Sequence, residues 1–252
     1  MKLFIYTLSA CFALSSFSYT LQTESHEELA FQVTALFRAY RKTIATNKEA
    51  IHNTKTYFKN PAKRVTEMAI MAKTYYEEMT GKKLPEDRVS RTGKVKYLLE
   101  KAVRNVIFGV ADGIYDLNWT GSNEYVRKWD GKLLPARFAN RVANQFNILT
   151  NNKYRIKLTT SKQLIVNENN MPDSWESEVI DTHLLHTTKS QFKTRSIINK
   201  GFYRYILPEF YGPSCIGCHG TNEGQEGEYI HPSKLKRQLN DFAGAISISI
   251  RL

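Results

Sequence analysis

PARFANRVANQFNILTNNKYRIKLT, residues 135–159, changes its hydrophobic period part-way along. Phe138, Val142 and Phe146 recur every four residues behind Pro135, whose fixed φ suits the first turn of a helix. Beyond Thr150, Tyr154, Ile156 and Leu158 alternate with Arg155, Lys157 and Thr159, the two-residue period of a half-buried strand. The switch splits the chain into a helical first part and a second part that contains strands.

Working back from this stretch, Ser25 with Glu28 forms a capping-box pattern ahead of Leu29, Val33, Leu36, Phe37, Tyr40, Ile44 and Ile51. This spacing predicts one long first helix that ends before Pro61. A second helix is expected from Ala62 to about Met79, closed by Gly81, and a third over Lys94–Val110, with Leu99, Ala102 and Val106 on its apolar side. Pro135 to Thr150 is the fourth. Working forward, Asp173 caps a short helix through Trp175, Val179, Ile180 and Leu184, and two further strands are expected at Phe202–Leu207 and Ala243–Ile250. The expected class is α+β: an N-terminal helical layer, then an antiparallel sheet, with a cysteine motif in the loop before the last strand.

At 252 residues the chain can bury a substantial core, and no linker or repeat divides it. Residues 1–18, MKLFIYTLSACFALSSFS, place one lysine ahead of an apolar run that ends in small residues, the layout of a secretory signal peptide cleaved after Ser18. Leu8-Ser9-Ala10-Cys11 competes as a lipoprotein box, with Cys11 as the lipid acceptor, and a retained apolar helix is the plain alternative. No later stretch reaches the ~20 apolar residues of a membrane span. A single domain over residues 19–252, exported to the periplasm or an equivalent compartment, is therefore expected. The formal charge of +12, spread without long runs, suits a face for an acidic partner protein or anionic lipid head groups. Nucleic-acid binding is not expected, since no reader motif is visible.

Only Cys11, Cys215 and Cys218 occur, so a mature exported chain has too few cysteines for a disulfide framework. Cys215-Ile216-Gly217-Cys218-His219 instead has the spacing of a c-type haem attachment site. The two thiols add to the vinyl groups on one porphyrin edge, and His219 follows where an imidazole can ligate the iron. Three readings compete: a thioredoxin-like redox pair, a zinc site, and chance. A redox pair would open a helix after a strand, whereas Pro213-Ser214 precedes and Gly220-Thr221-Asn222 follows; zinc would need a fourth ligand. Candidates for a second axial ligand are His26, His52, His183, His186, His231 and Met171. His52 falls on the predicted apolar face of the first helix, where a lone histidine is more often a core residue than a ligand. His183 and His186 lie on one side of their short helix and are expected to be exposed.

Asn167-Glu168-Asn169-Asn170-Met171-Pro172-Asp173-Ser174-Trp175-Glu176 resembles the RNPxNxPDxWE signature of a family of haem c proteins with a PAS-like fold, among them a photosystem-associated cyanobacterial cytochrome. Cys215 to Gly220 matches that family's haem motif, and Asp241 to Ser247 resembles its GAISV-type terminal strand. The resemblance implies a PAS-like antiparallel sheet and one covalent haem c. Members often carry a cysteine in the N-terminal helix, in a stretch like FCNTKA, as second axial ligand. Ile51-His52-Asn53-Thr54-Lys55-Thr56 aligns with it, with His52 at the cysteine's place, which implies bis-histidine ligation by His52 and His219. A departure from the signature is Gln163-Leu164-Ile165-Val166, where a clear arginine before the asparagine is missing.

The expected function is that of an exported monohaem c-type cytochrome, a redox carrier rather than an enzyme, meeting an acidic redox partner. The alternative is a PAS-like haem sensor of NO, CO or redox state, which needs an open or displaceable sixth position. No kinase, methyl-accepting or cyclase segment follows the last predicted strand, which weighs against a one-chain signal transducer.

Overall fold

The computed structural model describes residues 24–115, 133–165, 167–191, 193–219 and 238–252, with Gly217 and Cys218 described by backbone alone. The proposed leader, Cys11 and His231 lie outside the described residues. Helix α1 (His26–Ala45) is N-capped by Ser25, whose hydroxyl accepts from the Glu28 amide. It stops well short of Ile51. Thr46 is still helical, but Asn47 turns extended, and its side chain accepts from the Ala50 amide to start a new helix, α2 (Lys48–His52). An asparagine is a better cap than a helix interior residue, so local capping wins over the continuing apolar pattern. A further single turn, α3 (Thr54–Tyr57), follows directly.

Helix α4 (Pro61–Thr80) begins with Pro61 in its first turn under an Asn60 cap, and it ends at Gly81 in the left-handed region at φ 66°. Helix α5 (Arg91–Ala111) is capped by Ser90, and α6 (Pro135–Leu149) ends in the left-handed pair Asn151 and Asn152. These turn residues reverse the chain tightly into β1 (Tyr154–Thr159). The Asn147 side chain then accepts from the Ile156 amide and donates to its carbonyl, fixing α6 against β1.

Past β1 come two short 3₁₀ turns, then α7 (Ser174–Val179), which runs on into a π-helical turn at Ile180–Leu184. Strands β2 (Arg195–Asn199) and β3 (Phe202–Phe210) form a hairpin, followed by α8 (Pro213–His219) and β4 (Phe242–Arg251). The sheet order is β1-β4-β3-β2, antiparallel throughout, so the last strand in the chain is a central one. The α+β arrangement with an N-terminal helical layer is as the sequence predicts. The cysteine motif, expected in a loop, is instead a short helix within the β3–β4 connection.

Opposed residues in the register share a face, so Tyr154, Ile156, Leu158, Ile246, Ile248, Ile250, Tyr203, Tyr205 and Leu207 form one apolar surface. The helices cover it, and all of these residues are buried in one core with Leu36, Phe37, Leu99, Val106, Phe138 and Phe146. The opposite face carries Arg155, Lys157, Ser247, Ser249 and Arg204. A smaller cluster of Leu164, Val179, Ile180, Leu184, Ile206, Phe242 and Ala245 covers only the part of that face next to the start of β4. Gly244, at φ 149° beside the β3 bulge, has no room for a side chain: a Cβ there would lie 2.9 Å from the Thr159 carbonyl oxygen.

Ile248→Ala is expected to lower unfolding free energy by about 2–5 kcal/mol, because Ile248 is fully buried between two neighbouring strands. Ser249→Ala, one residue on but facing outward, is expected to change it by only ~0.5 kcal/mol or less. Denaturant unfolding of the two variants measures both.

Candidate functional site

The Cys215-to-His219 motif lies on α8, a seven-residue helix whose base is tied to the sheet. The Tyr211 amide donates to Asp241 O at 3.0 Å, and the Asn240 amide donates back to Tyr211 O at 2.9 Å, so both ends of the excursion carrying the motif are clamped together. The Cys215 and Ile216 amides donate to Gly212 O and turn the chain into the helix. Cys215 and His219 stand one helical turn apart, at i and i+4, which places them on one side of α8. Cys215 is a half-buried free thiol, and His219 is exposed with its ring 5.5 Å from that of buried Tyr211. The cysteine pair therefore does follow a strand on a helix, so position alone does not exclude a redox-pair reading. Among the described residues no group of three or more His, Cys, Asp or Glu side chains is arranged to hold a metal ion by itself.

Three structural ties bring His52 to the same end of the sheet as α8. Helix α1 runs alongside β3 in the same direction, with His26 against Tyr203 at one end. At the other end Arg38 donates to Glu209 and to Pro208 O, and Arg41 donates to Glu209 at 2.6 Å. The remaining turns of α1, and α2 after them, therefore continue past the point where β3 gives way to α8. Independently, the Leu133 amide donates to Ile51 O at 3.0 Å, joining α2 to the chain just ahead of α6. Helix α6 runs back along β1, and its 15 residues, ~22 Å, match the ~20 Å of the six-residue strand. Its first turn therefore lies near Thr159, whose partner Ala245 is close to the start of β4.

His52 is exposed on the last position of α2, not on an apolar face as the periodicity suggests, because α1 has already ended. The other described candidates are less suitably placed. His26 packs at the far end of α1, where burial, and secondarily Arg91, hold its pKa below the usual histidine value. His183 and His186 are exposed, as expected, and Met171 is exposed on the signature segment beside β1, its carbonyl accepting from Lys157. The donor set fits a covalently attached haem: a free thiol and an accessible imidazole on one side of a helix, Cys218 on that same helix, and a second accessible imidazole brought to the same end.

The signature segment builds a different piece of structure. Asp173 caps α7 in a reciprocal capping box with Glu176, which is 2% exposed. Glu176 accepts from Lys157 at 2.6 Å and lies 3.4 Å from Arg204, which also reaches Asp173 at 2.6 Å and covers the Trp175 ring. Neither this network nor the Arg38–Arg41–Glu209 cluster emerges from the sequence reading. Outward-facing Lys157 in the β1 alternation is the one signal that points to the first, since a cation there needs a partner or water.

The Tll0287-like family model matches residues 26–251. Among solved structures, the crystal structure of the cyanobacterial heme-protein Tll0287 is similar at 14% identity, covering 63% of this chain and 93% of that one, with a TM-score of 0.35. At that score the likeness carries no weight for fold or function. No curated protein matches.

Burial opposes ionisation of Asp173, but the Arg204 hydrogen bond and the Glu176 amide outweigh it and hold the carboxyl below its usual range. A lowered folded-state pKa contributes stability that is present above the unfolded value and is lost as pH falls through the folded one. Asp173→Asn keeps the cap and loses the charge, so its unfolding midpoint is expected to be less acid-dependent below pH 4 than that of the parent. Asp173→Ala loses the cap as well and is expected to cost about 1–2 kcal/mol at neutral pH. Thermal unfolding of the three proteins across pH reads both effects.

Proposed function

We propose, for a chain that belongs to the Tll0287-like family, that it is an exported monohaem c-type cytochrome working as a redox protein. Cys215 and Cys218 hold one haem through thioether bonds, His219 ligates the iron on one side and His52 on the other. The observation that supports this reading is that α1 and α6 direct α2 toward the end of the sheet from which α8 rises, with exposed histidines on both helices. Haem supplies one-electron chemistry at its iron. The chain's own residues do the rest: the Tyr211–Asp241 clamp fixes the base of α8, Tyr211 packs beside the His219 ring, and Arg38 and Arg41 lock α1 to β3 through Glu209, setting where α2 can place His52. Within the proposal the sheet is PAS-like, the compartment is periplasmic or otherwise extracytoplasmic, and the basic surface meets an acidic redox partner, with peripheral association to anionic lipid as a lesser role. No substrate turnover is proposed.

A gas- or redox-sensing role draws on one observation. His52 ends a five-residue helix and its side chain is exposed, so little packing opposes its release from iron. In that reading His52 is a displaceable ligand and NO or CO takes its place.

Protein exported alongside a working c-type maturation system is expected to carry one added haem mass and to give a c-type pyridine haemochrome. Both signals should vanish in Cys215→Ala/Cys218→Ala. An unmodified mass in the parent refutes haem attachment. His52→Ala is expected to convert a six-coordinate absorption spectrum into a five-coordinate or water-bound one, and an unchanged spectrum removes His52 from the iron. Rapid stoichiometric CO binding to the reduced parent favours the sensor, and inertness favours the carrier.

A further inference from the structure

The outward face of the sheet holds a cleft of about 900 Å³ that the haem reading does not use. It wraps round the β1 edge of the sheet, lined by the polar side of β1, β4 and β3 and residues 167–176 on one side of that strand and by α6 on the other. Six basic side chains line it, Arg137, Arg141, Arg155, Lys157, Lys200 and Arg204, against two acids, Asp173 and Glu176. Both acids are already engaged, Asp173 with Arg204 and Glu176 with Lys157 and Arg204. Arg137 apart, the described lining still carries three more cations than acids. Arg155 and Lys200 are exposed and have no ion pair among the described residues, and exposed Arg141 stands 5.5 Å from the Tyr115 ring.

Gathering like charges into a concavity is unfavourable unless something of opposite sign enters, and a cleft with low-dielectric walls concentrates the resulting potential. Guanidinium groups present paired donors that match an oxyanion bidentately, and seven asparagines around them add carboxamide donors and acceptors. The volume suits a small molecule rather than a protein segment. We propose that this cleft binds a small multivalent oxyanion, carrying two or more carboxylate or phosphoryl groups, with Arg155 and Arg141 as its principal cationic contacts. The site runs along β1, from Arg137 in the first turn of α6, toward the haem end, to the far end of the sheet. It includes Asn199, Lys200 and Phe202, at the opposite end of the ~30 Å, nine-residue strand β3 from Phe210 and α8.

The test is calorimetric titration of the haem-loaded protein with citrate and, separately, pyrophosphate, at fixed ionic strength set with sodium chloride. One-to-one binding of at least one of them is expected, weakened at least tenfold in Arg141→Ala/Arg155→Ala and unchanged in Lys42→Ala, a cation on α1 against Tyr75. Preference between the two anions tells carboxylate from phosphoryl ligands. Absence of saturable heat with both, or equal affinity in the double variant, overturns the proposal. The haem mass and spectrum of the double variant are expected to match the parent, so failure here leaves haem attachment standing, and failure of haem attachment leaves the cleft's charge test intact.

Discussion

Strand β4 must pair on both of its edges, and it is the last strand in the chain. Phe242–Arg251 hydrogen-bonds with β1 on one side and β3 on the other while presenting Ile246, Ile248 and Ile250 to the helical layer. Until it returns, β1 has no strand partner, and the β2–β3 hairpin is a two-stranded piece that is marginal in water by itself. The connection that leaves β3 at Tyr211 and returns at Asp241, with the Cys215-to-His219 motif at its start, is therefore closed by the sheet at both ends. The Tyr211–Asp241 bonds are the point of closure, and α8 rises directly from it.

This topology directs α2 and α8 toward one end of the fold. Helices α1 and α6 are each aligned with a strand, through Arg38, Arg41 and Glu209 in one case and Asn147 in the other. Both alignments deliver a chain connection to the end where β3 leaves the sheet and β4 enters it. Glu209 is 13% exposed at its side chain and lies between two arginines, so its charge is balanced within a largely enclosed contact. Such a pair fixes direction more than it adds stability, since desolvation offsets most of the attraction. Turning α1 the other way would leave Glu209 without its cations and His52 at the wrong end.

What the sequence discloses follows the physics of each element. Long amphipathic helices with strong caps, such as α4 between Asn60 and Gly81, are legible because pattern and punctuation agree. The break after Ala45 is not, because apolar residues keep helical spacing across it while Asn47 starts a new cap. Strand β2 is invisible for the opposite reason. As an edge strand it leaves Ile197 39% and Ile198 67% exposed, so its residues carry no inside–outside alternation. The proposed donor set Cys215, Cys218 and His219 rests on spacing, and His52 enters it only through the likeness to a haem c family. That His52 is exposed, and on a helix directed toward the end of the sheet that carries α8, depends on helix directions, which a one-dimensional pattern does not encode.

The charge distribution divides the molecule in a way that composition conceals. A net +12 suggests a uniformly basic surface, yet many acids are engaged locally: Glu209 with Arg38 and Arg41, Glu176 with Lys157, Asp173 with Arg204. At the Glu209 contact two arginines share one carboxylate, which ties α1 to β3. On the outward face of the sheet cations outnumber the acids, and the capping box of α7 takes up both acids that could have balanced them. The same two side chains that start a six-residue helix thus leave the neighbouring cleft positive. A fold that needs Asp173 and Glu176 for local order, and places arginines around them beyond what those acids can neutralise, leaves a positive cleft where no core residue requires it.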